Sequence, residues 1–309
     1  MSLVKNNTCD TKLIFPEFVD IKVSTKTFTA NTNIYIDIDK LFHILPITEY
    51  EIIPKKRGRK KKIDVVDPNS NLKHGSIITL KYENNVRGVE LKVKKTNRVR
   101  PKWFRNSVTV VIIFDKHINF KVCKNGTFHM TGCKNSNHAE LCVKYIWEFI
   151  KDTEGLYTFT RGTCFEAMFV PSMRNIDFSL GFNVDREKLN NYMCTQNEFH
   201  CLLETSFGYT GVNIKVPLAH DIRNMRVRKL VYDGKWISKT SVYNEYVQTL
   251  SEKDKKIKLS TERYNTFLVF HSGKVIMSGL TSYYMKDVYY YFLDVIQRSY
   301  DDIKEVLDT

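Results

Sequence analysis

One pattern occurs twice in this chain, and it constrains the fold more than any other feature. The segment NGTFHMTGCKNSNHAELCVKYIWEFI (125–150) aligns with SGKVIMSGLTSYYMKDVYYYFLDVI (272–296). Each has a glycine turn, a short stretch ending in Met-Thr-Gly or Met-Ser-Gly, and then a long amphipathic helix. Gly132 and Gly279 lie 147 residues apart, about half of the 309-residue chain. That period is too long for a solenoid. It implies a strand-rich unit closed by a helix, duplicated to give a pseudo-two-fold molecule.

Composition narrows the partner class. The chain is 42% hydrophobic with 7 Pro and 13 Gly, enough apolar content to bury a core. Its net charge of +14 favours a polyanionic partner, either nucleic acid or an acidic membrane surface. The longest apolar run, 108–114, is far short of the ~20 residues of a membrane span, and the first residues carry no signal-peptide segment. Seven unevenly spaced cysteines fit reduced thiols in an intracellular setting better than a disulfide framework.

The coarse order of elements is also duplicated. In the first half, 19–30 reads as a strand and 37–45 as a helix. Strands follow at 76–82, 86–94, 108–114, 117–123 and 127–131. The closing helix, 135–151, is expected to put Ala139, Cys142, Ile146 and Phe149 on one face. In the second half, 174–184 reads as a strand, 185–192 as a helix and 212–216 as a strand. A hairpin at 266–270 and 274–278 then leads into a helix over 282–299, with Met285, Val288, Tyr289, Phe292 and Ile296 on its apolar stripe. Two stretches interrupt the pattern, a basic loop at 54–75 and a charged, irregular stretch at 217–262.

These motifs together resemble the TATA-binding protein family. FLVFHSGKVIMSG (267–279) is similar to the second-repeat signature, VCKNGTFHMTGCK (122–134) to its first-repeat equivalent, and VSTKTF (23–28) to the opening strand. RPKWF (100–104) resembles the family's Asn-Pro-Lys-x-Phe segment, and FNVDREKL (182–189) the strand-to-helix step of the second repeat. The resemblance covers about two-thirds of the chain, and the inserted loops are most like those of members encoded by large DNA viruses. It implies an α+β saddle with one curved antiparallel sheet of about ten strands and helices on the convex side. Its repeats would span 14–154 and 155–309, the first carrying the 54–75 loop and the second the 217–262 insertion.

By that resemblance, the concave face sits in the DNA minor groove and phenylalanine wedges unstack base steps. In the second repeat the implied wedges are Phe270 and Phe207. In the first, Phe104 matches one wedge, while Cys123 stands where the family has the other. Phe120 could replace it only through a slip of three residues, which would reverse its face. Leu268, Phe270, Ile276 and Ser278 share one parity and would line the groove with Lys274. Ser278 stands where the family has a hydroxyl that reaches a base acceptor. The first-repeat set would be Lys121, Cys123, His129 and Thr131, which is more polar than the family pattern. Asn175 corresponds to the central base-contacting amide, and its first-repeat equivalent falls near Ile21.

Other signals leave alternatives open. KKRGRKKK (55–62) resembles an AT-hook, with Arg57 and Arg59 flanking Gly58 and Lys60 where the usual motif has Pro. The same residues would serve a nuclear-import signal, a loose DNA tether or a solvated loop. Lys92, Lys94, Lys95, Arg98, Arg100 and Lys102 suit either phosphate contact or a solvated strand edge. Cys133, His138 and Cys142, and likewise Cys194, His200 and Cys201, fit no standard zinc spacing. Buried or incidental thiols are the expectation, with no metal and no cofactor. Gly273-Lys274-Val275 lacks the remainder of a phosphate-binding loop, and no catalytic constellation stands out.

The leading expectation is a non-enzymatic initiation factor that binds and bends A-T-rich duplex DNA, with no membrane role. Its implied partners are B-type and A-type general transcription factors, or viral equivalents, and an RNA polymerase. It would act in a nucleus or a cytoplasmic viral factory. One alternative keeps the fold as a sequence-indifferent packaging protein. Another is a nucleic-acid enzyme with a saddle-like clamp, which turnover of a nucleic-acid substrate would favour.

Overall fold

The computed structural model describes residues 12–52, 69–91, 104–203 and 211–306. In chain order, the first half contains β1 (Val23–Thr32), β2 (Ile34–Ile36), α1 (Ile38–Ile44), β3 (Ser76–Tyr82), β4 (Asn85–Gly88), β5 (Ser107–Ile113), β6 (His117–Cys123), β7 (Thr127–Cys133), α2 (Ser136–Ile150) and β8 (Tyr157–Phe159). The second half contains β9 (Phe165–Ser179), α3 (Arg186–Cys194), β10 (His200–Leu203), β11 (Gly211–Pro217), β12 (Arg226–Asp233), β13 (Lys235–Val242), α4 (Tyr243–Gln248), α5 (Glu252–Ser260), β14 (Tyr264–Phe270), β15 (Lys274–Gly279) and α6 (Ser282–Ile303).

The chain divides into two compact units. One comprises the described parts of 25–172 and 222–255, and the other those of 1–24, 173–221 and 256–309. In the first-half unit the antiparallel strands run β1-β7-β6-β5-β3-β4, and in the second-half unit β9-β15-β14-β11-β10. The five strands preceding β4 in the first order match the five of the second, position for position. The duplication inferred from sequence is therefore a duplication of topology, and the protein is an α+β fold. Ten of the fifteen described strands form these matched sets.

Local chemistry is duplicated as well. Asp37 caps α1 by accepting from the Lys40 amide, and Asp185 caps α3 by accepting from the amides of Glu187 and Lys188. Gly126 and Gly273 form the hairpin turns at φ +71° and +70°. A Cβ at either would lie about 2 Å from a main-chain oxygen, that of Ile34 (2.1 Å) or Phe182 (2.0 Å). Only glycine satisfies both the backbone angle and the space.

Each unit buries one face of its strands under helices. In the first-half unit, Val110, Ile112, Ile118, Phe120, Val122, Phe128 and Met130 pack with Leu41 and Phe42 of α1 and with Ala139, Cys142, Ile146 and Trp147 of α2. In the second-half unit, Ile176, Phe178, Val212, Ile214, Phe267, Val269, Val275 and Met277 pack with Leu189 and Met193 of α3 and with Met285, Tyr289, Phe292 and Ile296 of α6. Phe267 stacks on Phe292 with ring centroids 4.0 Å apart. Tyr289 is fully buried, and its hydroxyl donates to the Pro16 carbonyl.

Three expectations need correction. Phe149 is 39% exposed, and Ile150 takes the buried place on α2 instead. The 217–262 stretch is not irregular: β12 and β13 form a hairpin across Asp233-Gly234, followed by α4 and α5. Nor does most of that insertion cluster with the second repeat, because residues 222–255 belong to the first-half unit. There β12 pairs with the early part of β9. Tyr232 and Trp236 pack around Trp147 and Phe165, with the Trp236–Phe165 centroids 6.0 Å apart. Ion pairs Arg228–Glu140 (2.9 Å) and Lys229–Glu166 (2.8 Å) align the charged positions of the hairpin.

Candidate nucleic-acid interface

Alternation along a strand sends successive side chains to opposite faces, so the register fixes which residues share the helix-free face of each unit. In the second-half unit one row across the sheet is Leu202, Asn213, Leu268, Ile276 and Asp177. The next is His200, Lys215, Thr266, Ser278 and Asn175. Phe270 lies opposite Gly211, and Lys274 opposite Ser179. The structure therefore brings Asn175, Leu268, Phe270, Lys274, Ile276 and Ser278 onto one face. All are partly or fully exposed, whereas their alternating neighbours Ile176, Phe267, Val269, Val275 and Met277 are buried.

Leu202, Asn213, Lys215, Thr266 and Asp177 join this face and were missed from the sequence. Their parity in β10, β11, β14 and β9 was the available signal. Leu268 lies over Gly211, where an added Cβ would come within 2.6 Å of its Cδ1. The side-chain oxygens of Asn175 and Asn213 are buried and have no hydrogen-bond partner among the described residues. A buried amide oxygen without a partner is costly, and a donor placed against the face would relieve it. Asp177 is the acidic exception, and its Oδ1 accepts from Ser24 Oγ at 3.2 Å.

The helix-free face of the first-half unit has a different character. Its rows are Lys81, Thr109, Lys121, His129 and Thr29, and Thr79, Val111, Asn119 and Thr131. Cys123 is opposite Ser107 on the same face. Burial pushes the Cys123 thiol upward from its ordinary pKa, outweighing the opposing pull of Lys121, so the thiol is neutral at pH 7. Phe120 is buried against Phe128 on the helix side and does not replace a wedge. Phe104 is 61% exposed, with Lys121 Nζ 3.9 Å from its ring centroid.

The position in β1 opposite Thr131 falls at the register irregularity between Lys26 and Phe28. The first-repeat counterpart of Asn175 is thus Thr27, not a residue near Ile21. The irregularity sets the single residue Thr27 opposite both Thr131 and Gly132. Arg57, Arg59, Phe207 and the basic positions in 92–102 lie outside the described residues.

The cysteine clusters show other chemistry. His138 Nε2 is 2.9 Å from Asp115 Oδ1, and its Nδ1 accepts from the Lys134 amide. Both ring nitrogens are engaged away from Cys133, whose thiol burial pushes up to about 11. Burial and the neighbouring Cys194 thiol push Cys201 up to about 12. Among the described residues, no three His, Cys, Asp or Glu side chains converge on one point. No helix among them is long and apolar enough to cross a membrane.

Taken together, these features define a duplicated α+β protein: among the described residues, the second-half unit leaves one sheet face without a helix, and the first-half unit leaves the matching face open except where Tyr246 of α4 donates to Asn31. The chain is 24% identical, over 98% of its length and 79% of the relative's, to a TATA-box-binding protein-like protein of Acanthamoeba polyphaga mimivirus. It is 28% identical, over 90% of its length and 84% of the relative's, to uncharacterized protein 335L of Invertebrate iridescent virus 6. Both relatives are viral. No family model matches. Among solved structures, Methanococcus jannaschii TBP is similar with a TM-score of 0.42 and 14% identity, covering 92% of this chain and 99% of that one.

Proposed function

We propose that the chain is a TATA-binding-protein-like initiation factor that binds and bends A-T-rich DNA from the minor groove and recruits RNA polymerase machinery. It acts without catalysis, in a nucleus or a cytoplasmic viral factory, beside B-type and A-type general factors or their viral equivalents. The observation that carries this reading is the helix-free face of the second-half unit. Leu268, Ile276 and Phe270 give it an apolar surface, and Ser278, Asn175 and Asn213 add polar groups on the same side. Apolar side chains cover a widened minor groove while a few polar groups meet the base edges. A-T pairs suit such a surface because they lack the guanine amino group.

Replacing A·T pairs by inosine·C pairs tests the groove assignment, since this swap keeps the minor-groove acceptors and rewrites the major groove. Affinity should stay within about twofold of the parent duplex. A loss of affinity as large as that caused by G·C replacement would contradict minor-groove reading.

A second reading, a sequence-indifferent packaging protein, draws on the polar face of the first-half unit and on Cys123 at a wedge position. It predicts equal affinity for all three duplexes.

A further inference from the structure

The inserted hairpin ends in an open strand edge. Among the described residues, β13 pairs with β12 alone, through eight residue pairs from Arg226–Val242 to Asp233–Lys235. Its other edge carries a row of main-chain amides and carbonyls with no strand beside them. That edge is held firmly. Trp236 Nε1 donates to Glu148 Oε1 of α2 at 3.2 Å, and Tyr243, just past the strand, is buried. An ordered, open edge is a template for another strand.

The side chains define which strand fits. Lys235 and Lys239 are exposed and four residues apart, so they share one face, and neither has an ion pair among the described residues. Half-buried Ile237 lies between them on that face. Arg228 and Lys229 of β12, by contrast, are already matched by Glu140 and Glu166. On the opposite face, Ser238 and Thr240 border an open cavity of about 380 Å³ whose other walls include Phe28, Phe169 and Ser136.

Three occupants compete for this edge. A second copy of β13, paired antiparallel about Ile237, sets Lys235 against Lys239, and like charges directly opposite are destabilising. Duplex phosphates would engage the lysines but leave the main-chain row and the cavity unused. An extended segment bearing carboxylates uses all three features: main-chain hydrogen bonds along β13, acidic residues opposite the lysines, and small side chains at the cavity.

We propose that β13 is a docking edge to which an acidic, extended segment of another protein adds as a further strand, with carboxylates at positions i and i+4 facing Lys235 and Lys239. Docking here does not depend on DNA binding by the sheet faces.

The test selects random peptides, displayed on phage, against the full chain and measures the enriched peptides by fluorescence anisotropy. Enriched sequences should carry Asp or Glu four residues apart. Lys235→Glu combined with Lys239→Glu should weaken them about tenfold, since two cross-strand attractions become repulsions. Thermal stability should not change, because both lysines are exposed. N-methylation of alternate peptide amides should abolish binding in one phase and spare it in the other, because only every second amide of an added strand faces β13. No enrichment, enriched peptides that bind the double variant equally well, or binding that survives both methylation phases overturns the proposal. So does a double variant that leaves peptide binding intact and lowers only the salt dependence of duplex binding, which would assign the lysines to phosphates.

Discussion

The carbonyl oxygen of Phe182 occupies the space that a Cβ on Gly273 would need, only 2.0 Å from it. Gly273 also has φ +70°, so Gly273→Ala would meet a steric clash and a left-handed backbone together. The expected loss is at least about 2 kcal/mol of unfolding free energy, read by denaturant titration. Gly126→Ala should cost a similar amount, because Gly126 stands in the same relation to Ile34. A neutral result at either turn would contradict the duplicated geometry.

Asn213 separates binding from stability. Its buried side-chain oxygen has no partner among the described residues, so Asn213→Leu removes an unsatisfied acceptor and keeps the branching at Cγ. Thermal stability should be unchanged or higher. Affinity for A-T-rich duplex should fall about threefold to tenfold, the value of one hydrogen bond. A fall in both stability and affinity would assign Asn213 a purely structural role.

The wedge positions predict opposite changes. Phe270→Ala removes an aromatic side chain from the face of the second-half unit and should sharply reduce the bend angle. Cys123→Phe restores an aromatic at the matching place in the first-half unit, where burial already keeps the native thiol neutral. It should increase bending and slow dissociation. Gel phasing or energy transfer between duplex ends measures both, and unchanged angles in both variants would refute the assignment of these faces.

The basic run 55–62 is expected to neutralise phosphates wherever it lies along the duplex. Its deletion should flatten the log–log dependence of affinity on salt by ~0.9 for each phosphate that is no longer neutralised. An identical slope would place the run off the DNA.

The duplicated scaffold was legible because its signals are local. Asp37, Asn135 and Asp185 stand at helix starts, and all three accept a hydrogen bond from the first turn. The parity that grouped Leu268 with Ile276 follows from the three-residue turn at 271–273, and the strands keep it. The β12–β13 hairpin was missed because Arg226, Arg228, Lys229 and Lys235 mask the alternation, although Asp233-Gly234 is a recognised hairpin signal. Arg228 and Lys229 are matched by Glu140 and Glu166, which lie far away in sequence. The counterpart of Asn175 is set by which residue of β1 faces Thr131, a pairing of strands far apart in the chain that local spacing does not reveal. The hydrogen bond from Thr131 to the Asn119 carbonyl depends on two strands meeting in register, which spacing alone cannot reveal.

The proposed function requires these faces to bind and bend A-T-rich duplex DNA. The most direct measurement combines competition binding and bend detection on A-T-rich and G-C-rich duplexes at one physiological salt concentration. The proposed function calls for a clear A-T preference with a large bend, approaching the ~80° kink made by TATA-binding proteins. Equal affinity for both duplexes without bending would contradict it and leave a packaging role for the same fold.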